Sequence, residues 1–172
     1  MFDLKPLLDQ LEVPGNYQIS MPEHFNFGFD VIDARAGDGD KTAYIWVDRS
    51  ATHIEHHSFS DLSKASSRFA NLLHGSGVAK GDAAIVVLPR VPAWYEVIIG
   101  CIKAGVVAMP GTNLLTAKDI EYRINKSQAT TIVVSVEHVA KIDSIRDSCP
   151  SLKYLILVGG DESGWINYEK GC

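Results

Sequence analysis

Two short stretches near the start of the chain have a β-type pattern, and the pattern then becomes helical. The stretches "TAYIWV" and "HIEHHSF" flank a polar turn at Asp48–Ser50, which predicts a β-hairpin. Apolar residues then recur at helical spacing: Leu62, Ala65, Phe69, Leu72 and Leu73. This spacing predicts an amphipathic helix that is capped by Ser60 and ends at Gly75.

Apolar runs alternate with helical segments over the rest of the chain. The pattern predicts strands near residues 83–88, 106–109, 131–135 and 154–158, and helices near residues 92–104, 116–127 and 137–148. The runs "AAIVVL", "TIVVSV" and "YLILV" are apolar throughout, as is typical of buried parallel strands. Right-handed crossovers place helices on the faces of such a sheet. We therefore predict an α/β fold with a mainly parallel sheet flanked by helices, preceded by the β-hairpin.

Several residues are suited to the ends of these helices. Pro92 fits a first helical turn, and Gly105 follows the end of the same helix at Ala104. Thr116 and Asp119 have the spacing of an N-terminal capping pair. The helix that begins at Pro92 is apolar on nearly every side, so we expect it to be covered from more than one direction.

The domain organisation follows from length and from the positions of proline. A chain of 172 residues can form one domain with a core, but not two large ones. Residues 1–40 are predicted to be a surface lead-in, because prolines interrupt them. Within "HFNFGFD", alternation of Phe25, Phe27 and Phe29 predicts an extended stretch with three rings on one face. Residues 41–172 are predicted to form the α/β domain.

Composition narrows the possible partners and locations. A net charge of −5 without a Lys/Arg cluster argues against nucleic acid as a partner. Cys101, Cys149 and Cys172 are odd in number and widely spaced, which indicates neither a disulfide framework nor a zinc site and favours a cytoplasmic location. No apolar run is long enough for a membrane-spanning helix, and no secretory signal is evident, so membrane insertion is not expected.

Three loops are candidates for a phosphate-binding site. Gly75–Gly77 with Gly81 follows a helix, so it is predicted to be a helix stop and turn. Gly159–Gly164 follows a strand but contains two carboxylates and no lysine, so it is also predicted to be a turn. Pro110–Asn113 follows a strand and could place amides and a hydroxyl near a ligand. Alone, this third loop is insufficient for a triphosphate.

Histidines and aromatic residues leave two further interpretations open. His53, Glu55 and His57 would share one face of a strand and could hold a metal. No supporting residues are apparent nearby, so a metal site is not predicted. Met109 and the aromatic residues of the Pro92 helix are interpreted as core, with the lining of an acyl or pantetheine channel as the alternative.

Two longer stretches resemble the core motifs of a known superfamily. "HSFSDLSKASSRFANLLHGSGVAKGD" and "LPRVPAWYEVIIGCIKAGVVAMPGT" resemble the first two core motifs of the adenylate-forming (ANL) superfamily. Together with "FNFGFDVIDARA", "CPSL" and "GW", they resemble the AMP-forming medium-chain acyl-CoA synthetases, a branch close to the benzoate-CoA ligases. The resemblance covers nearly the whole chain and implies part of the N-terminal domain of that fold.

The resemblance also implies a reaction. A carboxylic acid, medium-chain or aromatic, reacts with ATP to give acyl-AMP and pyrophosphate, and the CoA thiol then yields acyl-CoA and AMP. The implied cofactors are ATP, CoA and Mg²⁺. The family's phosphate loop, acyl pocket, magnesium and ribose ligands and catalytic lysine have no counterpart up to Cys172. We therefore expect residues 41–172 to be an incomplete domain without catalytic residues, which alone is inactive and binds no cofactor strongly.

One loop is expected near CoA. The resemblance places Gly111, Thr112 and Asn113 close to the route by which CoA enters. The branch usually has a polar CoA-contacting residue at the position of Leu114, and leucine can neither donate nor accept a hydrogen bond there. Arg35 replaces a tryptophan that is usual in the family, which affects packing more than chemistry.

Two alternatives belong to other functional classes. The chain could be a stand-alone, non-catalytic α/β module that binds a partner through an uncovered sheet edge, and a large exposed apolar patch would mark it. It could also be a small nucleotide-binding or flavodoxin-like protein. The lack of a clear phosphate-binding loop argues against the latter.

Overall fold

A computed structural model describes residues 22–39 and 41–172. The predicted lead-in of residues 1–40 therefore lies partly outside the described residues, and the first twenty residues, where no secretory signal is expected, lie wholly outside them. The hairpin consists of β1 (Thr42–Val47) and β2 (Ile54–Ser58), which pair in antiparallel orientation. This part of the prediction is confirmed.

The second sheet has five parallel strands in the order β4-β3-β5-β6-β7. Its strands are β3 (Ala83–Val87), β4 (Val107–Pro110), β5 (Thr131–Ser135), β6 (Tyr154–Val158) and β7 (Ile166–Asn167). The predicted α/β fold with a parallel sheet is confirmed. The sequence did not predict β7, because a strand of two residues is too short to show a repeating pattern.

Helices surround the parallel sheet. They are α1 (Ala34–Ala36), which continues a π-helical segment at Gly28–Asp33, α2 (Phe59–Ser76), α3 (Pro92–Ala104), α4 (Ala117–Ser127), α5 (Val139–Asp143) and α6 (Tyr168–Gly171). The single helix predicted at 137–148 is wrong, because 3₁₀ turns at Val136–His138 and Arg146–Ser148 flank a short α5. None of the described helices is long and apolar enough to cross a membrane.

The sheet separates two apolar layers. On one face, Ala84 and Val86 of β3 lie in a cluster with residues of α2 and α3. On the other face, Ile85 and Val87 lie in a cluster with residues of α4 and α5. The strand runs are continuously apolar because both faces of the sheet are covered.

The ends of α2 differ from the predicted ones. Ser58, not Ser60, caps the helix: its Oγ accepts from the Asp61 backbone N–H at 3.1 Å, and the Asp61 carboxylate accepts from the Ser58 N–H at 3.0 Å. This reciprocal pair needs the spacing that only Ser58 has from Asp61. Gly75 lies inside the helix, and Gly77 ends it with φ of +94°.

The capping pair of α4 is confirmed and gives a test of helix stability. Thr116 accepts from the Asp119 N–H at 3.3 Å and donates from its hydroxyl to the Asp119 carboxylate at 2.7 Å. The Asp119 carboxylate also accepts from the Thr116 backbone N–H at 2.9 Å, and the two bonds that this carboxylate accepts hold its pKa below the ordinary value of 3.8. A carboxyl group whose pKa is lower in the folded than in the unfolded state stabilises the fold at any pH above its unfolded pKa. This contribution is lost as the pH falls through the folded pKa.

We expect Thr116→Ala to lower the free energy of unfolding by about 1 kcal/mol at pH 7. The loss should shrink as the pH falls below 3.8, because protonated Asp119 no longer accepts both bonds. Urea unfolding of both proteins between pH 7 and pH 3 measures this. Thr116→Ser keeps the hydroxyl and should match the wild type; an equal loss in Thr116→Ser would contradict the capping role.

The extended stretch predicted for Phe25, Phe27 and Phe29 is wrong. Helical conformation begins at Phe27 and continues through the π-helical segment. The Asn26 side chain accepts from the Gly28 N–H at 2.9 Å, and this local bond favours a turn over a strand. All three phenylalanines are about half exposed, so their rings do not lie buried against the domain.

A buried lysine joins the π-helical segment to the domain. The Lys103 Nζ atom lies 2.6 Å from Asp33 Oδ1, 2.9 Å from Ser67 Oγ and 3.1 Å from the Ser63 carbonyl oxygen. We call these four residues the Lys103 cluster. The segment also approaches the lysine closely at Gly28, where a Cβ would lie 2.4 Å from Lys103 Cγ. The expected cover of α3 thus comes from the sheet, α2 and this segment.

Candidate functional site

The strand order defines where a ligand site is expected. The chain passes from β3 to the edge strand β4 and then returns to β5 on the other side of β3. The helices after β3 and β4 lie on opposite faces of the sheet. In open parallel sheets, ligands bind at the carboxyl ends of the strands where the chain reverses direction in this way. The segments that follow β3, β4 and β5 are therefore the candidates.

The loop after β4 contains the three residues predicted to lie near CoA. We call Gly111–Leu115 the β4 loop. The Gly111 N–H donates to the Val86 carbonyl at 2.8 Å, and a Cβ on Gly111 would lie 2.6 Å from Leu115 Cδ1. Thr112 Oγ1 accepts from the Leu114 N–H at 2.9 Å. The hydroxyl thus shapes the turn, and Leu114 projects outward with 90% of its surface exposed.

Asn113 connects the β4 loop to the segment after β5. Its Nδ2 donates to Glu137 Oε1 at 3.3 Å, and Ser135 Oγ donates to the same oxygen at 3.3 Å. Asn113 Oδ1 is buried and has no hydrogen-bond partner in the described part of the chain. Sequence reasoning missed Glu137, although its position directly behind a buried parallel strand is a usable signal.

His138 and Lys141 follow in the same segment. His138 is only 4% exposed, and neither ring nitrogen has a hydrogen bond within residues 22–39 and 41–172. Burial and the nearby Lys141 charge lower the pKa of His138, so its ring is neutral at pH 7. The Lys141 Nζ atom donates to the Leu115 carbonyl at 2.7 Å, which is a second link to the β4 loop.

The three hairpin residues considered for a metal do share one face. Glu55 lies between the two rings, with His53 Nε2 and His57 Nε2 each 2.9 Å from a carboxylate oxygen. These bonds lower the pKa of Glu55. Because both nitrogens already pair with the carboxylate, the arrangement is a hydrogen-bonded triplet, in which His53 is exposed and His57 is partly buried. No set of three metal-ligating side chains occurs among the residues that the structure describes.

The aromatic residues of α3 are not all core, which corrects the interpretation made from the sequence. Tyr95 is exposed, and its ring stacks on Tyr44 with centroids 4.6 Å apart. With Trp46 and Trp94, these residues line a cavity of about 480 Å³ between the hairpin and the start of α3. Burial, followed by the charge of Glu96, raises the pKa of Tyr44, so its hydroxyl stays protonated.

The two glycine-rich loops are turns, as predicted. Gly77 ends α2, and the Gly159 N–H after β6 donates to Glu169 at 2.7 Å. Asp161 in the second loop pairs with Lys170. These two loops have the geometry of turns, so no phosphate-binding role is assigned to them.

The cysteines do not supply a nucleophile. Cys101 and Cys149 are buried free thiols, and burial raises the pKa of Cys101 to about 12. Burial likewise raises the pKa of Cys172 to about 11. Since the thiolate is the reactive form, these thiols are unreactive at neutral pH.

Comparison with known families decides the identity of the domain. The profile of the AMP-binding enzyme family matches residues 32–170, which is most of the chain. The chain belongs to this family. The matched residues include the hairpin, the parallel sheet and the β4 loop.

Curated relatives are acyl-CoA synthetases. The chain is 40% identical over 159 residues to acyl-coenzyme A synthetase ACSM2A, mitochondrial, of Homo sapiens, covering 87% of this chain and 27% of that protein. It is 37% identical over 171 residues to ACSM4, mitochondrial, of Mus musculus, covering 95% of this chain and 29% of that protein. The chain thus spans less than a third of the length of these relatives.

Solved structures show the same fold. An acyl-CoA synthetase from Brucella canis superposes with a TM-score of 0.77 at 22% identity, covering 99% of this chain and 30% of that one. The anthranilate CoA ligase AuaEII in complex with anthranoyl-AMP gives a TM-score of 0.76 at 21% identity, and the match covers 88% of this chain and 28% of that one.

The expectation of a cytoplasmic location is wrong. The relatives ACSM2A, ACSM4 and ACSM5 are all named as mitochondrial proteins. Unpaired cysteines indicate a reducing compartment, but they do not distinguish the cytoplasm from other reducing compartments.

Proposed function

We propose that this chain is the N-terminal part of an AMP-forming acyl-CoA synthetase. The enzyme would join a medium-chain or aromatic carboxylic acid to CoA with conversion of ATP to AMP and pyrophosphate, and Mg²⁺ would assist. The observation that carries this proposal is the 40% identity to an acyl-CoA synthetase across 87% of the chain. Because the described residues contain no group of three side chains that could hold a metal ion, and the two glycine-rich loops are turns, the isolated chain would be inactive.

We further propose that Gly111, Thr112 and Asn113 border the path of CoA. The position of the β4 loop supports this proposal, since the loop lies at the carboxyl ends of the strands of a parallel sheet. The outward-facing Leu114 leaves the tip of the loop open to a large ligand. Residues 41–172 would then be one structural layer of a larger domain.

The experiment uses the native gene product and the isolated chain side by side. An antibody against residues 41–172 would recover the product from its own cells for intact mass and for acyl-CoA synthesis from octanoate or benzoate with ATP and CoA. We expect a mass well above 18.8 kDa with acid-dependent synthesis. We expect the 172-residue chain to show no ATP–pyrophosphate exchange. Exchange by the isolated chain would contradict its proposed inactivity.

One observation favours the alternative of a partner-binding module. Ile45, Val47 and Ile54 are all exposed on the hairpin, and Val47 pairs directly with Ile54, so they form a continuous apolar patch. A native mass of 18.8 kDa without synthetase activity would favour this alternative.

A further inference from the structure

We propose that Glu137 and Lys141 are positioning residues that hold the β4 loop in the geometry that accepts CoA. Neither residue belongs to the loop, and both come from the segment that follows β5 on the far side of β3. The role for CoA rests on the proposed function, whereas the holding of the loop rests on contacts within this chain.

Glu137 and Lys141 form hydrogen bonds to different residues of the β4 loop. Glu137 accepts from the side chain of Asn113, and Lys141 donates to the backbone carbonyl of Leu115 at 2.7 Å. Leu114 lies between these two loop residues and is exposed, and its backbone N–H donates a hydrogen bond to Thr112 of the same loop. The internal bonds shape the turn, and the Gly111 N–H fixes its first residue to Val86 of the sheet. The positions of Asn113 and Leu115 relative to the sheet depend on the two links from the segment after β5.

Glu137 also orients the amide of Asn113. An ionised carboxylate only accepts hydrogen bonds, so the amide must direct its Nδ2 toward Glu137 and its Oδ1 away from it. That Oδ1 is the buried acceptor without a partner among the described residues. Ser135, which donates to the same Glu137 oxygen at 3.3 Å, steadies the carboxylate from β5.

The Lys141 link is the stronger of the two. Both links involve a charged group, but the Lys141 bond is 2.7 Å long and the bond from Asn113 to Glu137 is 3.3 Å long. Loss of Lys141 would leave the Leu115 carbonyl without this donor immediately before α4 begins. The link therefore also fixes the place where the β4 loop enters the capped helix.

Hydrogen exchange in the 172-residue chain tests the holding role without enzyme activity. The readouts are the amides of Leu114 and Leu115, which bond inside the loop, and the reference is the Gly111 amide, which bonds to Val86 in the sheet. We expect Lys141→Met and Glu137→Ala each to accelerate loop exchange about fivefold relative to the reference. Lys141→Arg and Glu137→Gln keep a donor and an acceptor and should stay near the wild-type rate.

Unchanged loop exchange in Lys141→Met and Glu137→Ala would overturn the proposal. Equal acceleration of the loop and reference amides would overturn it as well, because that result indicates general destabilisation.

The CoA role is tested separately by adding CoA at millimolar concentration and following the NMR shifts of the β4 loop. Shifts in the wild type that weaken in Lys141→Met support the CoA role. No shifts in the wild type would overturn the CoA role, while the exchange result would still decide the holding role.

Discussion

Replacement of Asp33 by alanine is expected to lower the free energy of unfolding by about 3 kcal/mol, because it leaves the Lys103 ammonium buried without a counter-charge. The Lys103 side chain is only 2% exposed, and its remaining partners, Ser67 and the Ser63 carbonyl, are neutral. Urea unfolding at pH 7 measures the loss. The variant should also release the π-helical segment, which hydrogen exchange at residues 28–36 would detect.

Two further variants make this expectation specific. Asp38 forms a longer pair with Lys41 at 3.8 Å, and both side chains are well exposed, so Asp38→Ala should cost less than about 1 kcal/mol. The double variant Asp33→Asn with Lys103→Met contains no buried charge and should be less destabilised than Asp33→Ala alone. If Asp33→Ala and Asp38→Ala have equal effects, the Lys103 cluster does not hold the segment in the way described.

Phe69→Ala is expected to lower the free energy of unfolding by about 3–5 kcal/mol, because it opens a cavity between α2 and the rest of the core. Phe69 is fully buried, and its ring lies 5.8 Å from that of Tyr168, measured between centroids. Thermal or urea unfolding measures the loss. Tyr122→Ala removes an exposed ring from α4 and should change stability by about 0.5 kcal/mol or less.

The close contact between α2 and α3 supplies an internal check on the Phe69 result. A Cβ on Gly100 would lie 2.8 Å from Phe69 Cδ1, so Gly100→Ala should destabilise the wild type by about 1–3 kcal/mol. In the Phe69→Ala background the ring contact is absent, so the same substitution should cost less, although the new Cβ would still lie 2.8 Å from the Ser66 carbonyl oxygen. Equal costs in the two backgrounds would show that the Ser66 carbonyl, and not the Phe69 ring, limits the space at Gly100.

The parallel sheet was predictable because its strands have a strong local signal. Each of β3, β5 and β6 is a continuous apolar run, and α3 is bounded by Pro92 and Gly105. The π-helical segment was not predictable from alternation, because the bonds made by Asn26 outweighed the pattern of the phenylalanines. Nor did the sequence reveal that Lys103 is buried, since a lysine in the last turn of a helix normally interacts with solvent.

The candidate site was only partly predictable for a related reason. Gly111, Thr112 and Asn113 follow a strand directly, and the proposal that they lie near CoA came from resemblance to known enzymes. Glu137 and Lys141 reach the same loop from a strand that is distant in sequence, so their contribution depends on the strand order, which no local pattern specifies.

The strand order also has a consequence for the emerging chain during synthesis. β4 can pair with β3 soon after α3 is made, but the other neighbour of β3 is β5, which leaves the ribosome only after α4. At typical elongation rates this delay is on the order of a few seconds. Throughout it, one edge of β3 and the apolar side chains of Ile85 and Val87 lack their final cover. A nascent chain stalled before β5 is the form in which we expect this protein to depend most on chaperones.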